Sequence, residues 1–153
     1  MNTTPRNRIK AHVRVKARDL IPHDLNPRRH SAAQRQALAD LYACVGFARS
    51  LLAYEVLIDG RPALKLIDGH LRRDMDPDME VAVEVLDVDD AEARALLLSL
   101  DPLAQLADYD RAALDRLRQL TEPASDALAN LWNAIAASAA AVEASLAEAR
   151  TAR

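Results

Sequence analysis

The chain is short of several things at once. Its 153 residues include one cysteine, three glycines, one tryptophan, one phenylalanine and three tyrosines. Cys44 alone excludes an intramolecular disulfide and a cysteine-based zinc site within one copy of the chain. The glycines, Gly46, Gly60 and Gly69, are too far apart to form a Gly-rich phosphate loop. Five aromatic residues offer few stacking platforms, which argues against a non-specific single-strand binder. No apolar run reaches the length of a bilayer span, and the first residues are polar and basic without the apolar core of a signal peptide. The reading is of a soluble, cytoplasmic protein that makes no use of a membrane.

Charge is plentiful and unevenly placed. The formal net charge of -3 conceals nine Lys/Arg against two Asp/Glu in residues 1–35, and eleven against twenty-one in the remainder. The basic end suits a polyanion or the chain's own acidic part.

Between Ile9 and Ala17 apolar and basic residues alternate, with Ile9, Ala11, Val13, Val15 and Ala17 on one side and Lys10, His12, Arg14 and Lys16 on the other. This is the pattern of a half-buried strand. Its basic stripe reads either as protection of a sheet edge or as a nucleic-acid contact through Lys10, Arg14 and Lys16. Residues 19–28 carry Pro22 and Pro27 and read as a loop. A helix follows: Ser31 and Gln34 match a capping box, Leu38, Leu41, Tyr42 and Val45 make an apolar stripe, and Gly46 suits its end. Cys44 is expected in or near that packing.

Residues 52–58 and 63–67 predict two strands joined by Asp59-Gly60, the dipeptide favoured in type I′ hairpins. Val81, Val83 and Val85 predict another strand. Asp89 and Glu92 then cap a helix from Ala91 to about Leu100, which Asp101-Pro102 is expected to halt. Residues 110–120 and 125–150 predict two further helices. On the last, Leu128, Leu131, Trp132, Ile135, Ser138, Val142 and Leu146 form a narrow seam of near-heptad spacing.

The densest chemistry lies where an apolar strand runs into Asp68-Gly69-His70-Leu71-Arg72-Arg73. Gly69 permits close backbone approach. Arg72 and Arg73 present planar donor forks suited to phosphate or carboxylate, and His70 adds a group that titrates near neutrality. Asp68 reads equally as a turn former or as a carboxylate contacting magnesium through water. Asn26, Arg28 and Arg29 read as a second wall of the same pocket or as loop punctuation. His12, His23, His30 and Asp24 have no zinc-like spacing and read as scattered polar residues.

The order of parts resembles the ParB/sulfiredoxin superfamily, and more narrowly the ParB-like N-terminal domains that stand alone or lie beside DNA methyltransferases in bacteria and phages. The features are the basic strand, the Leu-Ile-Pro-His-x-x-Asn-Pro-Arg loop, a helix ending in Gly46, a hairpin, Leu-Ile-Asp-Gly-His-Leu-Arg, a Val-x-Val-x-Val strand and an Asp-Ala-Glu-Ala helix. The match runs over roughly residues 11–108. It implies an α/β (α+β) fold with a small mixed sheet flanked by helices and followed by two C-terminal helices. The expected division is a flexible N-terminus over residues 1–8, a ParB-like domain over 9–108 and a helical extension over 109–153.

In partition proteins of that superfamily the corresponding turn is Gly-Glu-Arg-Arg, which holds nucleotide phosphates with magnesium; in sulfiredoxins it is Gly-Cys-His-Arg. Gly69 and Arg72 carry over directly. His70 stands where sulfiredoxins have their nucleophilic cysteine, which excludes a thiol mechanism at this turn. No helix-turn-helix module is evident after the domain, so sequence-specific DNA reading is not implied. The resemblance implies a nucleotide- or nucleic-acid-phosphate-binding module in DNA metabolism, with Gly69, His70, Arg72, Arg73, Asn26 and Arg28 at phosphates, Asp68 at a metal, and CTP or ATP with magnesium as ligand. Expected partners are DNA or nucleotide, with a DNA methyltransferase or a phage protein as candidate protein partners. Two other readings stand beside it. One is an adaptor that binds a partner, or a second copy as a homodimer, through the C-terminal helix. The other is a magnesium-dependent nuclease or nucleotide hydrolase using Asp68, His70 and Arg72.

Overall fold

A computed structural model describes residues 4–105 and 107–152. Residues 1–3 of the expected flexible N-terminus lie outside that range. Five strands among the described residues form one mixed sheet in the order β1-β5-β3-β4-β2. They are β1 (Ile9–Lys16), β2 (Leu20–Ile21), β3 (Leu51–Ile58), β4 (Arg61–Asp68) and β5 (Glu80–Leu86). The described residues also form five α-helices: α1 (Ala32–Val45), α2 (His70–Met75), α3 (Asp90–Gln105), α4 (Arg111–Leu120) and α5 (Asp126–Thr151). The expected mixed sheet with helices and two C-terminal helices is the observed fold class.

The chain divides into two compact units, one of residues 1–30 and 48–103, the other of residues 31–47 and 104–153. In the first, β1 pairs antiparallel with β5, β5 parallel with β3, β3 antiparallel with β4, and β4 parallel with β2. The alternation in β1 is realised: His12, Arg14 and Lys16 are exposed while Ala11, Val13 and Val15 are partly buried. Asp59 and Gly60 both have positive φ, 50° and 74°, as a type I′ turn requires. Val81, Val83 and Val85 are buried and share a sheet face with Leu51, Ala53 and Leu66. On the opposite face Tyr54, Ile67 and Leu86 pack with Ala93 of α3, ringed by Leu52, Val56, Val88 and Leu96. The Tyr54 hydroxyl donates to Asp90 at 2.9 Å. Burial, reinforced by that bond, pushes the Tyr54 phenol up to about 12.

The expected capping box before α3 forms in both directions. Glu92 N donates to Asp89 Oδ1 at 2.8 Å, and Asp89 N to Glu92 Oε2 at 2.9 Å. Arg8 adds an ion pair to Glu92 at 2.9 Å. Three features differ from the sequence expectations. Pro102 lies inside α3 and does not halt it, so the helix runs on to Gln105; proline removes one hydrogen bond of the ladder, a cost that neighbouring turns can outweigh. Leu20 and Ile21, expected in a loop, pair with Leu64 and Lys65 as a two-residue edge strand. The segment after Gly69 is a helix, α2, so the two arginines stand on successive helical positions.

In the second unit, Ser31, Asp110 and Ser125 each cap the helix that follows by accepting from the backbone N–H three residues on. Only part of the expected α1 stripe is buried. Ala37 is enclosed, whereas Val45 is largely exposed and Leu41 lies at the margin. Cys44, expected near this packing, is exposed. On α5, Leu128 and Ala139 are buried, while Val142 and Leu146 are half-exposed. Of the expected seam only Leu128 is buried; Trp132 and Ile135 are partly buried and Leu131 is exposed. Ala139, and not Ser138, is the buried position. Among the described residues no helix is long and apolar enough to cross a membrane.

Candidate functional site

β4 ends at Asp68, and Gly69 turns the chain into α2 with φ +109°. A Cβ here would lie 2.5 Å from Leu51 Cγ, so any side chain at this position would force Leu51 to shift. This close approach sets Asp68 and α2 against the start of β3. The Asp68 side chain is only 15% exposed and meets three guanidinium groups. Arg28 Nη1 donates to Oδ1 at 3.1 Å, and Arg49 Nη2 and Arg72 Nη2 each donate to Oδ2 at 3.3 Å. Arg28 Nη1 also lies 2.5 Å from Asp101 Oδ2 on α3. Burial pushes the Asp68 carboxyl up, but Arg72, Arg28 and Arg49 together outweigh it and hold the group below the usual carboxylate range.

Three cations thus face two carboxylates. Each guanidinium carries five N–H donors, far more than Asp68 and Asp101 can accept. Arg72 is almost wholly enclosed, and its Nε is buried with no hydrogen-bond partner. A cluster with surplus positive charge and a buried donor lacking an acceptor suits an anion with several oxygens. Among the described residues no group of three or more His, Cys, Asp or Glu is arranged to hold a metal.

His70, the first residue of α2, is buried, and its Nε2 accepts from His23 N at 3.0 Å. Burial, assisted by the nearby Arg28 charge, lowers its pKa to about 4. It is therefore neutral near pH 7, with its ring proton on Nδ1. His23, read in the sequence as a scattered polar residue, is also buried, and its Nδ1 accepts from Leu25 N at 3.1 Å. Asn26 Oδ1 accepts from Arg28 N at 3.3 Å and shapes the turn that presents Arg28.

Of the residues singled out in the sequence, Asp68, Gly69, His70, Arg72, Asn26 and Arg28 are brought together. Arg73 turns away: its Nε donates to Leu20 O at 2.9 Å and ties α2 to β2. Lys10 and Arg14 stand on β1, where Lys10 pairs with Glu55 at 3.0 Å and Arg14 lies 3.8 Å from Glu80. These carboxylates offset part of the basic stripe. Lys16 is exposed on the face of Arg14, whereas Lys10 stands at a register shift between Ile9 and Ala11 and is not in line with them.

Sequence reasoning missed Arg49 and Asp101. A signal for Arg49 was present, because pairing outward from the Asp59-Gly60 turn brings the residues just before β3 opposite the end of β4, as Leu52 against Asp68 shows. No comparable signal exists for Asp101, which stands in a turn of α3 that the sequence left outside the helix and meets Arg28 from a distant part of the chain.

No family description and no curated protein matches the sequence. Among solved structures the fold is similar to that of the C-terminally truncated chromosome-partitioning protein ParB from Caulobacter crescentus, complexed with CTP-gamma-S. The TM-score is 0.54 at 16% sequence identity, over 66% of this chain. The match spans 57% of that chain's length. The fold is ParB-like, an α/β arrangement about a mixed five-stranded sheet.

Proposed function

We propose that this protein is a ParB-like phosphate-binding module acting in DNA metabolism, and that Arg28, Arg49 and Arg72 hold the phosphates of a nucleotide. The observation that carries the reading is the convergence of these three guanidinium groups, from three separate stretches of chain, on one enclosed carboxylate, with Arg72 Nε buried and unpartnered. The ParB neighbour, bound to a CTP analogue, supports CTP as the first nucleotide to test, with ATP second. Magnesium belongs to this reading as the companion of the phosphates. It commonly retains water and takes only one or two carboxylates; Asp68, whose two oxygens accept from three guanidinium groups, would meet it through water only as the phosphates draw those arginines away. Lys10, Arg14 and Lys16 on β1 form a subsidiary contact for a nucleic-acid backbone, and binding there weakens as salt is added.

The test is calorimetric titration with CTP, ATP, GTP and UTP, with and without magnesium, on the wild type and on Arg49→Ala and Arg72→Ala. Arg49 is the cleaner position, because its side chain is largely exposed and its removal is expected to disturb the fold least. Binding that Arg49→Ala weakens about tenfold, the loss of one charged hydrogen bond, supports the reading. Absence of binding by all four nucleotides sinks it.

A second reading, an adaptor, is favoured by an apolar groove of about 340 Å³ within the helical unit, lined by Tyr109, Leu114, Leu117, Trp132 and Ile135. Its occupant would be a second copy of the chain or a protein of the DNA-modification or phage class. Leu117→Glu in the full chain, followed by light scattering, decides the self-association form: a wild-type dimer that persists in the variant removes the groove from consideration.

A further inference from the structure

We propose that His70 is a positioning residue for Arg28 and not itself a phosphate ligand, an inference that rests on the phosphate reading above. A relay of hydrogen bonds joins the two. His70 Nε2 accepts from His23 N at 3.0 Å, His23 O accepts from Asn26 N at 3.1 Å, and Asn26 Oδ1 accepts from Arg28 N at 3.3 Å. His23 Nδ1 closes the turn by accepting from Leu25 N at 3.1 Å. Residues 22–28 contain two prolines, which lack a backbone N–H, so few donors are left to anchor the loop. The His23 N–H is the one that docks on α2. Arg28 then reaches Asp68, two residues before His70 in sequence, so the loop is held at both ends by one strand-helix junction.

The chemistry requires an acceptor at the Nε2 position. A neutral imidazole supplies one, and neither lysine nor arginine can. The Nε2 lone pair is committed to the loop and is not free to receive a proton from a substrate. His70 thus shapes the site through Arg28.

The test uses four full-length variants. In His70→Gln the side-chain carbonyl reaches roughly where Nε2 stood and keeps an acceptor; His70→Asn is too short to reach, and His70→Leu has none. Arg28→Ala removes the group being positioned. Affinity for CTP, ATP or inorganic phosphate is read by calorimetry, and protection of the His23 and Leu25 amides by hydrogen exchange. His70→Gln is expected to bind like the wild type. His70→Leu is expected to lose about as much affinity as Arg28→Ala, on the order of tenfold, and the double variant His70→Leu/Arg28→Ala to lose no more than the weaker-binding single variant. Additive losses in the double variant would overturn the proposal, since they would mean that His70 acts independently of Arg28. If His70→Leu does not fold, His70→Asn replaces it in the same comparison. Should the wild type bind no phosphate at all, the phosphate reading fails while the positioning role is still decided by exchange. Protection of the His23 amide must then be kept in His70→Gln and lost in His70→Leu or His70→Asn, and unchanged protection refutes it.

Discussion

Replacing Asp68 with asparagine keeps the shape and one acceptor oxygen but removes the charge that three arginines share. The charge of the cluster formed with Asp101 rises from one positive to two. The three contacts are unequal. Arg49 has a side chain 66% exposed and returns to water when released, so its loss is worth little. Arg28 and Arg72 are 25% and 11% exposed and cannot do so freely. A hydrogen bond to a charged group contributes about 1.5–3 kcal/mol, and the asparagine amide would retain part of one such bond. The expected destabilisation is therefore about 3 kcal/mol, the low end of the range for breaking a buried ion pair. It should be read by urea unfolding followed with far-UV circular dichroism, because the single tryptophan, Trp132, lies on α5 in the other unit. Inorganic phosphate supplies the decisive arm. With the competing carboxylate gone, phosphate should bind more tightly and restore about 2.7 kcal/mol at a hundredfold excess over its Kd. A variant as stable as the wild type, or one that gains no more from phosphate than the wild type does, refutes the account of Asp68 as the internal counter-charge of an anion site.

Two further outcomes follow from the same geometry. His70 and His23 are both held neutral by burial, so the unfolded chain takes up protons from about pH 6.5 downward while the fold resists them. Stability should fall as the pH is lowered from 6.5 to about 4, by about 3 kcal/mol from His70 alone, with His23 acting in the same direction. Asp68 does not contribute in that window, because its depressed carboxyl loses its benefit only below 3.8. Urea midpoints that do not change between pH 7 and pH 4.5 would refute this. Gly69→Ala should cost about 3 kcal/mol, combining a contact of 2.5 Å with Leu51 and a left-handed backbone; Gly46→Ala, with φ +100° but open space, should cost about 1 kcal/mol. Equal losses in the two variants would show that the Leu51 contact contributes nothing.

Much of the fold was legible because its signals are local. Alternation from Ala11 on defines β1, Asp59-Gly60 defines the hairpin, and Asp89 with Glu92 defines the start of α3, each within a few residues. The resemblance to ParB-like domains drew on the order of these elements, and the order survives in the structure. The site was legible only in outline. Gly69 and Arg72 stand out by type and spacing, but whether an arginine faces a ligand or a carbonyl depends on what lies across from it. Arg72 and Arg73 are neighbours in sequence, yet one joins the cluster at Asp68 and the other ties down β2.

The errors share one cause. The α1 stripe was drawn from spacing alone, but α1 packs with α5, so small Ala37 is enclosed and Val45 is left exposed. Pro102 carries a strong stop signal, but a single missing hydrogen bond is a small cost against the packing of a long helix. The sequence by itself determined the four longer strands, the hairpin turn, the helix caps and the position of the Asp68–Arg73 motif, because those follow from the backbone preferences and periodicity of nearby residues. Only the tertiary structure decided that Arg49 and Asp101 join the site, that α1 belongs with the C-terminal helices, and that His70 points into the protein. Each of these depends on contacts between distant parts of the chain, whose energies are set by burial and charge at the place where they meet.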